Sequence, residues 1–344
     1  MLINVHIKDS KMKRLVVGID VSKETLDVVL SLEGEDLSHS QLPNKERSFK
    51  NWMKETLQAH GAEYDDWLVC MENTGIYCHH VMEVCLVLGL DLWVEDAGRI
   101  KAFHSLSRGK NDALDAARIA RYGYLKQSEA VFWQPPRKEL MKLKSLVQLR
   151  KRLLTTKQRL SSPLGEEEFM GCEWSREHKA HIQPILVRIT REIKDVEEKM
   201  RRLISSDESL QQQYIQVSSV KGVGLIVAAT LLVMTNEFKS IRDPRKLACQ
   251  AGVAPFPYES GKSIRGRSKV SHRAHKPLKV LLNLAARSSV SSPGELRDYY
   301  ERKVGEGKNK MVVLNAIRNK IIHRIYACVR DGREYEENYR PALA

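Results

Sequence analysis

Four acidic residues occupy positions from which a folded chain could bring carboxylates together. Asp20 ends the apolar run LVVGID and Glu72 ends the apolar run WLVCME, so both are expected at the ends of buried strands. Asp112 and Asp115 open the stretch DALDAARIARYG, in which a spacing of three places both on one helix face. Converging carboxylates repel one another, and Mg²⁺ or Mn²⁺ relieves that repulsion by binding oxygen ligands. Two such ions can clamp the attacking and leaving oxygens of a phosphodiester.

Each acid also has an ordinary structural interpretation. Asp20 could start a turn, and Glu72 could lie in a loop shortly before a glycine. Asp112 could cap a helix, with Asp115 in the first turn, where the helix dipole favours an acid. The order of strand-Asp, strand-Glu and helix-AspxxAsp is more specific than any one of its members, and it predicts a metal site.

A serine in a basic segment is the second candidate for chemistry. Ser260 precedes a glycine, so a turn could present its hydroxyl as a nucleophile. Residues 260–294 contain eight Lys or Arg residues and no Asp or Glu. Cations of this kind bind phosphate and stabilise charge on a transferring phosphoryl group. The residues predicted to contact nucleic acid are Lys110, Lys221, Lys262, Arg265, Arg267 and Lys269.

The same segment has a plainer interpretation, since a basic loop ordinarily holds the DNA backbone without reacting with it. Ser263, Ser268 and Ser271 are placed as favourably as Ser260. Residue types and spacing alone therefore leave the identity of the nucleophile open.

Composition indicates a folded protein with a polyanionic partner. The chain has 344 residues, a formal net charge of +14 and 42% apolar residues, so nucleic acid is the foremost partner and a membrane surface the weaker one. No apolar run reaches the roughly 18 residues of a membrane helix, and the N-terminus lacks the pattern of a signal peptide. The six cysteines form no CxxC pair and are expected to be reduced. These features predict a bacterial cytoplasmic protein that associates with the nucleoid.

Hydrophobic periodicity divides the chain into three predicted parts. In residues 13–126, short apolar strands alternate with helices, which indicates an α/β domain with a mixed sheet. In residues 127–214, leucine and isoleucine recur at helical spacing on both sides of a break at residues 161–175. This pattern indicates a helical hairpin, or a coiled coil that carries a dimer contact. In residues 215–344, helices flank a Gly-x-Gly turn that is either a helix-hairpin-helix motif or a plain tight turn.

The stretches GIDVSKETLDVVL, MENTGIY and GKNDALDAARIARYG, in this order, closely resemble the DEDD transposases and invertases of bacterial insertion sequences. That family includes the pilin-gene invertase and the bridge-RNA-guided recombinases. The resemblance implies an RNase H-like N-terminal domain of the Holliday-junction-resolvase type, a coiled-coil middle and a mainly α C-terminal transposase domain. It implies that Asp20, Glu72, Asp112 and Asp115 are the catalytic, metal-binding acids and that Ser260 is the nucleophile. The glycine-asparagine pair that often follows in the family is replaced here by RAHKP.

These patterns and the resemblance together lead us to expect site-specific recombination of an insertion element. Mg²⁺ or Mn²⁺ at the four acids would orient the scissile phosphate, and Ser260 would form a phosphoserine link to one DNA end. The expected partners are donor and target DNA, a structured bridge RNA, and further copies in a homodimer or homotetramer, without a membrane. The alternatives are a hydrolytic junction nuclease, a DNA invertase without an RNA guide, and a basic nucleic-acid-binding protein with a degenerate site.

Overall fold

The computed structural model describes residues 12–60, 66–103, 112–254, 256–260, 264–269 and 274–337, and for residues 256–260 and 264–269 it describes the backbone alone. The chain forms two compact units, Met1–Pro135 and Pro136–Ala344. Each unit is built around a core of buried apolar side chains.

The first unit is built on a five-stranded mixed sheet. Its strands are β1 Leu15–Val21, β2 Thr25–Leu32, β3 Glu35–Pro43, β4 Trp67–Glu72 and β5 Asp91–Glu95. They lie in the order β3-β2-β1-β4-β5, with β1, β4 and β5 parallel and β2 antiparallel to both of its neighbours. This arrangement confirms the mixed α/β fold expected for the N-terminal domain.

Helices cover both faces of this sheet. The described helices of the unit are α1 Glu46–His60, α2 His79–Leu88, α3 Ala97–Phe103 and α4 Asp112–Lys126. α1 and α2 pack on one face, where Phe49, Met53 and Val81 join the apolar side chains of β1, β2 and β4. α4 packs on the other face against β1 and β2. β1 and β4 are apolar along most of their length because both of their faces are covered.

Gly18 sets the distance between β1 and α4. A Cβ atom built at this residue would lie 2.3 Å from the backbone nitrogen of Ala120 and 2.4 Å from the carbonyl oxygen of Ala116. Only glycine allows the helix to lie this close to the strand. Asp20 follows two residues later, so its side chain points to the same face of the sheet.

β3 is a strand that our sequence analysis did not predict. Its residues are mostly exposed, and its sequence EDLSHSQLP lacks apolar alternation. It is an edge strand that pairs with β2 alone. Its position is specified by this partner and by the preceding turn, in which Glu33 and Gly34 have positive φ angles of 51° and 91°.

The second unit is mostly helical, as expected, and it also contains a β-hairpin. The hairpin strands are β6 Phe256–Ser260 and β7 Ile264–Lys269, which pair antiparallel. The plainer interpretation of this segment in our sequence analysis was a basic loop, and the structure shows a hairpin instead. The helices are α5 Lys138–Met170, α6 Ser175–Ser205, α7 Glu208–Ser218, α8 Leu225–Met234, α9 Pro244–Gln250, α10 Lys276–Ser291, α11 Glu295–Gly305 and α12 Lys310–Asp331.

α5 and α6 form the predicted helical hairpin within one chain. The predicted break at residues 161–175 is wrong in extent, because α5 continues through Pro163 and ends at Met170, where Gly171 adopts a left-handed conformation with φ 67°. Pro163 lies on the exposed side of a helix of 33 residues. One lost hydrogen bond is tolerated there because the turns on either side keep theirs.

The base of this hairpin shares its core with the C-terminal helices. Leu143 of α5 and Met200 of α6 belong to one cluster of buried side chains with Leu232 of α8 and Ile321 of α12. The predicted boundary between residues 214 and 215 therefore does not separate two compact bodies. The predicted boundary between residues 126 and 127 lies close to the observed division at Pro135.

The cysteines are free thiols, as expected for reduced residues. Burial raises the pKa of Cys85 to about 12, so this thiol stays protonated at neutral pH. In the part of the chain that the structure describes, no helix combines the length and apolar character needed to cross a membrane.

We predict that Gly18→Ala lowers the free energy of unfolding of the first unit by about 3 kcal/mol, because the added methyl group forces α4 away from β1. Urea denaturation followed by circular dichroism measures this change. Gly165→Ala in α5 is the control: the space around Gly165 is open, and alanine favours a helix by about 0.5–1 kcal/mol over glycine. A Gly18→Ala protein as stable as the wild type would contradict the close packing of α4.

Candidate active site

The predicted acids Asp20 and Glu72 lie at the carboxyl ends of neighbouring parallel strands. Asp20 is the last residue but one of β1, and Glu72 is the last residue of β4. In open α/β sheets, ligands bind in the crevice outside these strand ends. Both residues are partly exposed, so a ligand in such a crevice can reach their carboxylates.

The other two predicted acids, Asp112 and Asp115, lie in the first turn of α4 and act on Asp20. Burial, followed by the negative charges of Asp112, Asp115, Glu72 and Asp27, raises the pKa of Asp20 from 3.8 to about 6. Each of the three remaining predicted acids thus contributes to the shift. The structure brings the four into one electrostatically coupled group.

A buried amide fixes the strand ends that carry this group. Asn44 Nδ2 donates to the carbonyl oxygen of Ser22 at 2.8 Å and to that of Tyr77 at 3.0 Å. Ser22 follows β1, and Tyr77 lies in the short helical turn after β4. The N–H of Asn73 donates to the carbonyl oxygen of Glu95 at 2.9 Å. These bonds tie together the ends of β1, β4 and β5.

The donor chemistry of the four acids suits a divalent cation, but their spacing does not form a closed metal site. Among the described residues, no three His, Cys, Asp or Glu side chains lie close enough to hold one ion together. Asp115 forms an ion pair with Arg118 at 2.7 Å. The raised pKa of Asp20 reflects burial first and then repulsion from the neighbouring carboxylates, and a bound cation would offset that repulsion.

Asp27 is a fifth acid beside this group, and our sequence analysis missed it. It is buried and lies directly opposite Asp20 in the pairing of β1 with β2. His39 Nε2 lies 3.0 Å from Asp27 Oδ1, and Gln41 Nε2 donates to Asp27 Oδ2 at 3.2 Å. The short connection between the two strands was the available signal, because the hairpin register that it sets places residues 20 and 27 opposite each other.

Glu95 is the last residue of β5, as Glu72 is the last residue of β4. The carboxylate of Glu95, however, forms hydrogen bonds within the first unit. It is buried and accepts hydrogen bonds from Arg99 Nη1 and from the Tyr122 hydroxyl, both at 3.0 Å. Burial and the bond to Glu95 raise the pKa of Tyr122 to about 12. Glu95 therefore links β5 to α3 and α4.

Ser260 lies in the second unit, as the last residue of β6. It pairs with Ile264, the first residue of β7. The predicted roles of this serine and of the surrounding cations stay predictions, since Lys110 and Lys262 lie outside the described residues and only the backbone of the others is described. Those others are Ser260, Arg265, Arg267 and Lys269.

Lys221, another predicted nucleic-acid contact, has its side chain engaged within the second unit. Its Nζ donates to the carbonyl oxygen of Pro293 and forms an ion pair with Glu337 at 3.3 Å. The next residue, Gly222, has φ 87°, and an added Cβ would lie 2.2 Å from the carbonyl oxygen of Ala285 in α10. The connection between α7 and α8 is thus a turn packed on α10, which favours the plain-turn interpretation.

We predict that Asp20→Asn stabilises the metal-free protein and that this gain grows with pH. The folded-state pKa of Asp20 lies above its ordinary value, so ionising Asp20 costs folding free energy. The cost is absent well below pH 3.8 and is complete above about pH 6. After allowance for solvent screening it amounts to about 1–2 kcal/mol. Thermal unfolding with a chelator at several pH values measures it.

Asp195→Asn is the control for this experiment, because Asp195 is an exposed residue of α6 and the charge change is the same. Its stability relative to the wild type should not vary in this way with pH. Magnesium should raise the melting temperature of the wild type and have a smaller effect on Asp20→Asn. If Asp20→Asn is less stable than the wild type in chelator at neutral pH, the inference that ionised Asp20 destabilises the fold is wrong.

Two family models match separate parts of the chain. A model of DEDD transposases of the IS110 type, described as "Transposase", matches residues 17–165, which include the four acids. A model described as "Transposase IS116/IS110/IS902 family" matches residues 215–301, which include Ser260. Together the two matches cover more than half of the chain.

Individual proteins are also similar to this chain. The chain is 24% identical to the pilin gene-inverting protein of Moraxella bovis, over 95% of this chain and 99% of that protein. It is 32% identical to an uncharacterized 43.6 kDa protein of insertion element IS110 from Streptomyces coelicolor, over 35% of this chain and 29% of that protein. A solved structure of T. thermophilus RuvC with a Holliday junction substrate aligns at 15% identity and a TM-score of 0.27, over 35% of this chain and 99% of RuvC. On the strength of the family models, the chain belongs to the IS116/IS110/IS902 family of transposases.

Proposed function

We propose that this protein is a site-specific DNA recombinase that moves an insertion element and cuts DNA with Mg²⁺ or Mn²⁺ bound at the four acids. The observation that carries the proposal is the placement of the acids. Asp20 and Glu72 lie at neighbouring strand ends. Asp112 and Asp115 lie in the first turn of α4, which packs on β1. The pKa of Asp20, raised by burial and then by the other acids, agrees with this placement. Carboxylates that repel one another at a sheet edge weaken the fold, and such a cost is typical of a functional site. A bound divalent cation would stabilise charge on the oxygens of the reacting phosphate.

The four acids approach the proposed cation from two sides. Asp20 and Glu72 would hold it from the strand ends, which the Asn44 amide keeps in place. Asp112 and Asp115 would hold it from α4, whose N-terminal end carries partial positive charge and favours ionised carboxylates. Asp27 would stay in the sheet, where His39 and Gln41 bind it.

Ser260 is the proposed nucleophile. Its Oγ would bond to the phosphorus of the scissile phosphodiester while the bond from phosphorus to one deoxyribose oxygen breaks. The serine gives up one proton and the departing oxygen gains one. A hydroxyl of a second DNA end would reverse the step and release the serine. Because one phosphoester bond forms for each that breaks, the strands can be rejoined without ATP.

Cations near the reacting groups would hold the DNA. Lysine and arginine bind backbone phosphates, and arginine can do so through two parallel N–H groups. Lys221 is left out of this set, because its side chain is bonded within the second unit. The proposed phosphate contacts are Lys110, Lys262, Arg265, Arg267 and Lys269.

We infer from the family that a structured RNA of the element selects donor and target DNA, and that the protein acts as a homodimer or homotetramer. The tip of the α5–α6 hairpin supports self-association, because Phe169, Met170 and Trp174 are exposed there. Exposed apolar clusters mark contacts between proteins. RNA that copurifies with the protein and resists DNase would support guidance. Its absence from an active preparation would favour an invertase that needs no RNA.

A hydrolytic nuclease is the second candidate function. It is favoured by the fact that the coupled acids all belong to the first unit, so cleavage would not require Ser260. Water would then attack the phosphorus, and DNA would be cut without being rejoined.

We predict that Ser260→Ala reduces strand exchange between matched donor and target DNA by about a thousandfold or more, because the nucleophile is lost. It should also abolish the covalent protein–DNA adduct that denaturing gels detect with end-labelled DNA. Asp112→Asn should lose both activities as well, since cleavage requires the acids.

Ser268→Ala is the control for this prediction, because Ser268 lies on β7 of the same hairpin. It should keep both strand exchange and the adduct. DNA cleavage that survives in Ser260→Ala but not in Asp112→Asn would establish the hydrolytic alternative. Cleavage unaffected by both variants would exclude the acid site itself.

A further inference from the structure

Arg318 of α12 is a buried cation that the proposed reaction does not use. Its side chain lies in the second unit, and only 6% of the residue is exposed. Its Nη2 donates to Asn283 Oδ1 of α10 at 2.6 Å, and its Nη1 donates to Asn315 Oδ1 at 3.4 Å. Its Nε is buried without a hydrogen-bond partner among the described residues. The neutral amides of Asn283 and Asn315 thus accept hydrogen bonds from the two Nη atoms and leave Nε without a partner among the described residues.

No carboxylate among the described residues compensates the charge of Arg318. Burial alone lowers its pKa, yet an arginine remains protonated in proteins. Other arginines of α12 form ion pairs with acids: Arg324 pairs with Glu295, and Arg330 pairs with Asp331. A buried charge without a counter-charge destabilises the fold, and a bound anion would remove that cost.

Hydrogen bonds connect Arg318, through its partner Asn315, to one end of the segment that carries Ser260. Asn315, one of its two partners, also donates through Nδ2 to the carbonyl oxygen of Val253 at 2.8 Å. At the other end of the segment, the N–H of His275 donates to the carbonyl oxygen of Gln250 at 2.7 Å. Both ends of residues 254–274 are therefore tied down beside α9 and α12, at the base of the hairpin that carries Ser260.

The two asparagines leave a route to this guanidinium. Asn283 and Asn315 are only partly buried, and Asn283 precedes the exposed Leu284 on α10. These half-buried amides lie between the buried guanidinium and solvent-exposed positions of the two helices. A guanidinium presents paired N–H groups that match two oxygens of one phosphate.

We propose that Arg318, Asn283 and Asn315 form a binding site for a phosphodiester group of DNA at the base of the Ser260 hairpin. The buried guanidinium, which no described carboxylate compensates, supplies the charge, and the amides orient it. The choice of DNA as the source of the phosphate rests on the proposed function. The site itself follows from the contacts of Arg318 and makes no use of Ser260 chemistry.

The test compares DNA binding by the full chain and by Arg318→Gln over a range of salt concentrations. A labelled duplex is titrated, and the logarithm of the binding constant is plotted against the logarithm of salt concentration. Loss of one phosphate contact should flatten the slope by about 0.9 and weaken binding about tenfold. Arg330→Gln is the control on the same helix, because Arg330 already pairs with Asp331. It should keep the wild-type slope.

A second measurement uses inorganic phosphate instead of DNA. Phosphate should raise the melting temperature of the wild type above its value in chloride at equal ionic strength. It should not do so for Arg318→Gln. In chloride, Arg318→Gln should melt within about 5 °C of the wild type, because an uncompensated buried charge is removed. Arg318→Lys keeps the positive charge but lacks the paired N–H groups of a guanidinium. This variant should retain the salt slope of the wild type and bind the DNA more weakly.

A purely structural arginine would give a different set of results. The salt slope and the phosphate effect would be unchanged in Arg318→Gln, or that variant would unfold or melt far below the wild type in chloride. Any of these results overturns the site. A Ser260→Ala protein that keeps both the slope and the phosphate effect while losing strand exchange supports both proposals. If Ser260→Ala stays active, the serine mechanism fails and the Arg318 site stands on its own measurements.

Discussion

The contact between α4 and β1 at Gly18 is the constraint on which the candidate site depends. Because no side chain separates the two backbones, the first turn of α4 comes beside the end of β1. Packing of Phe49 and Trp67 on the opposite side holds the sheet in place beneath the helix. The apolar core thus forces two carboxylates of a helix towards two carboxylates of strand ends, although these groups repel one another.

Several buried charges in this protein have polar partners close by, which makes the exceptions informative. Arg137 binds both Asp207 and the fully buried Glu237, and Glu95 is held by Arg99 and Tyr122. By contrast, no cation among the described residues offsets the raised pKa of Asp20, and Arg318 lacks an acid in the described part of the second unit. Uncompensated charge of either sign weakens a fold, so its retention indicates a ligand of opposite charge.

The elements with strong apolar patterns could be predicted from the sequence. The sequences of β1 and β4 contain apolar runs that end in an acid. This pattern correctly predicted that Asp20 and Glu72 lie at strand ends. β3 could not be predicted, because an exposed edge strand is specified by its partner and not by its own residues. Pro163 gave a false helix end, since the signal of a proline is local whereas a long helix is stabilised by its neighbouring turns.

The polar partners were the least predictable part of the site. Asp27 became visible only through its register with Asp20, and the bonds of Lys221 to Pro293 and Glu337 join residues far apart in the chain. Contacts of this kind depend on tertiary packing, which leaves no periodic signal in a single sequence.

We propose that the carboxylates grouped around Asp20 bind a divalent cation. Anomalous diffraction at the manganese absorption edge, from crystals grown with Mn²⁺, tests it most directly. We predict a peak about 2.1–2.3 Å from carboxylate oxygens of Asp20 and of at least one acid of α4. Crystals with manganese bound elsewhere, and with no peak between β1 and the first turn of α4, would contradict the claim.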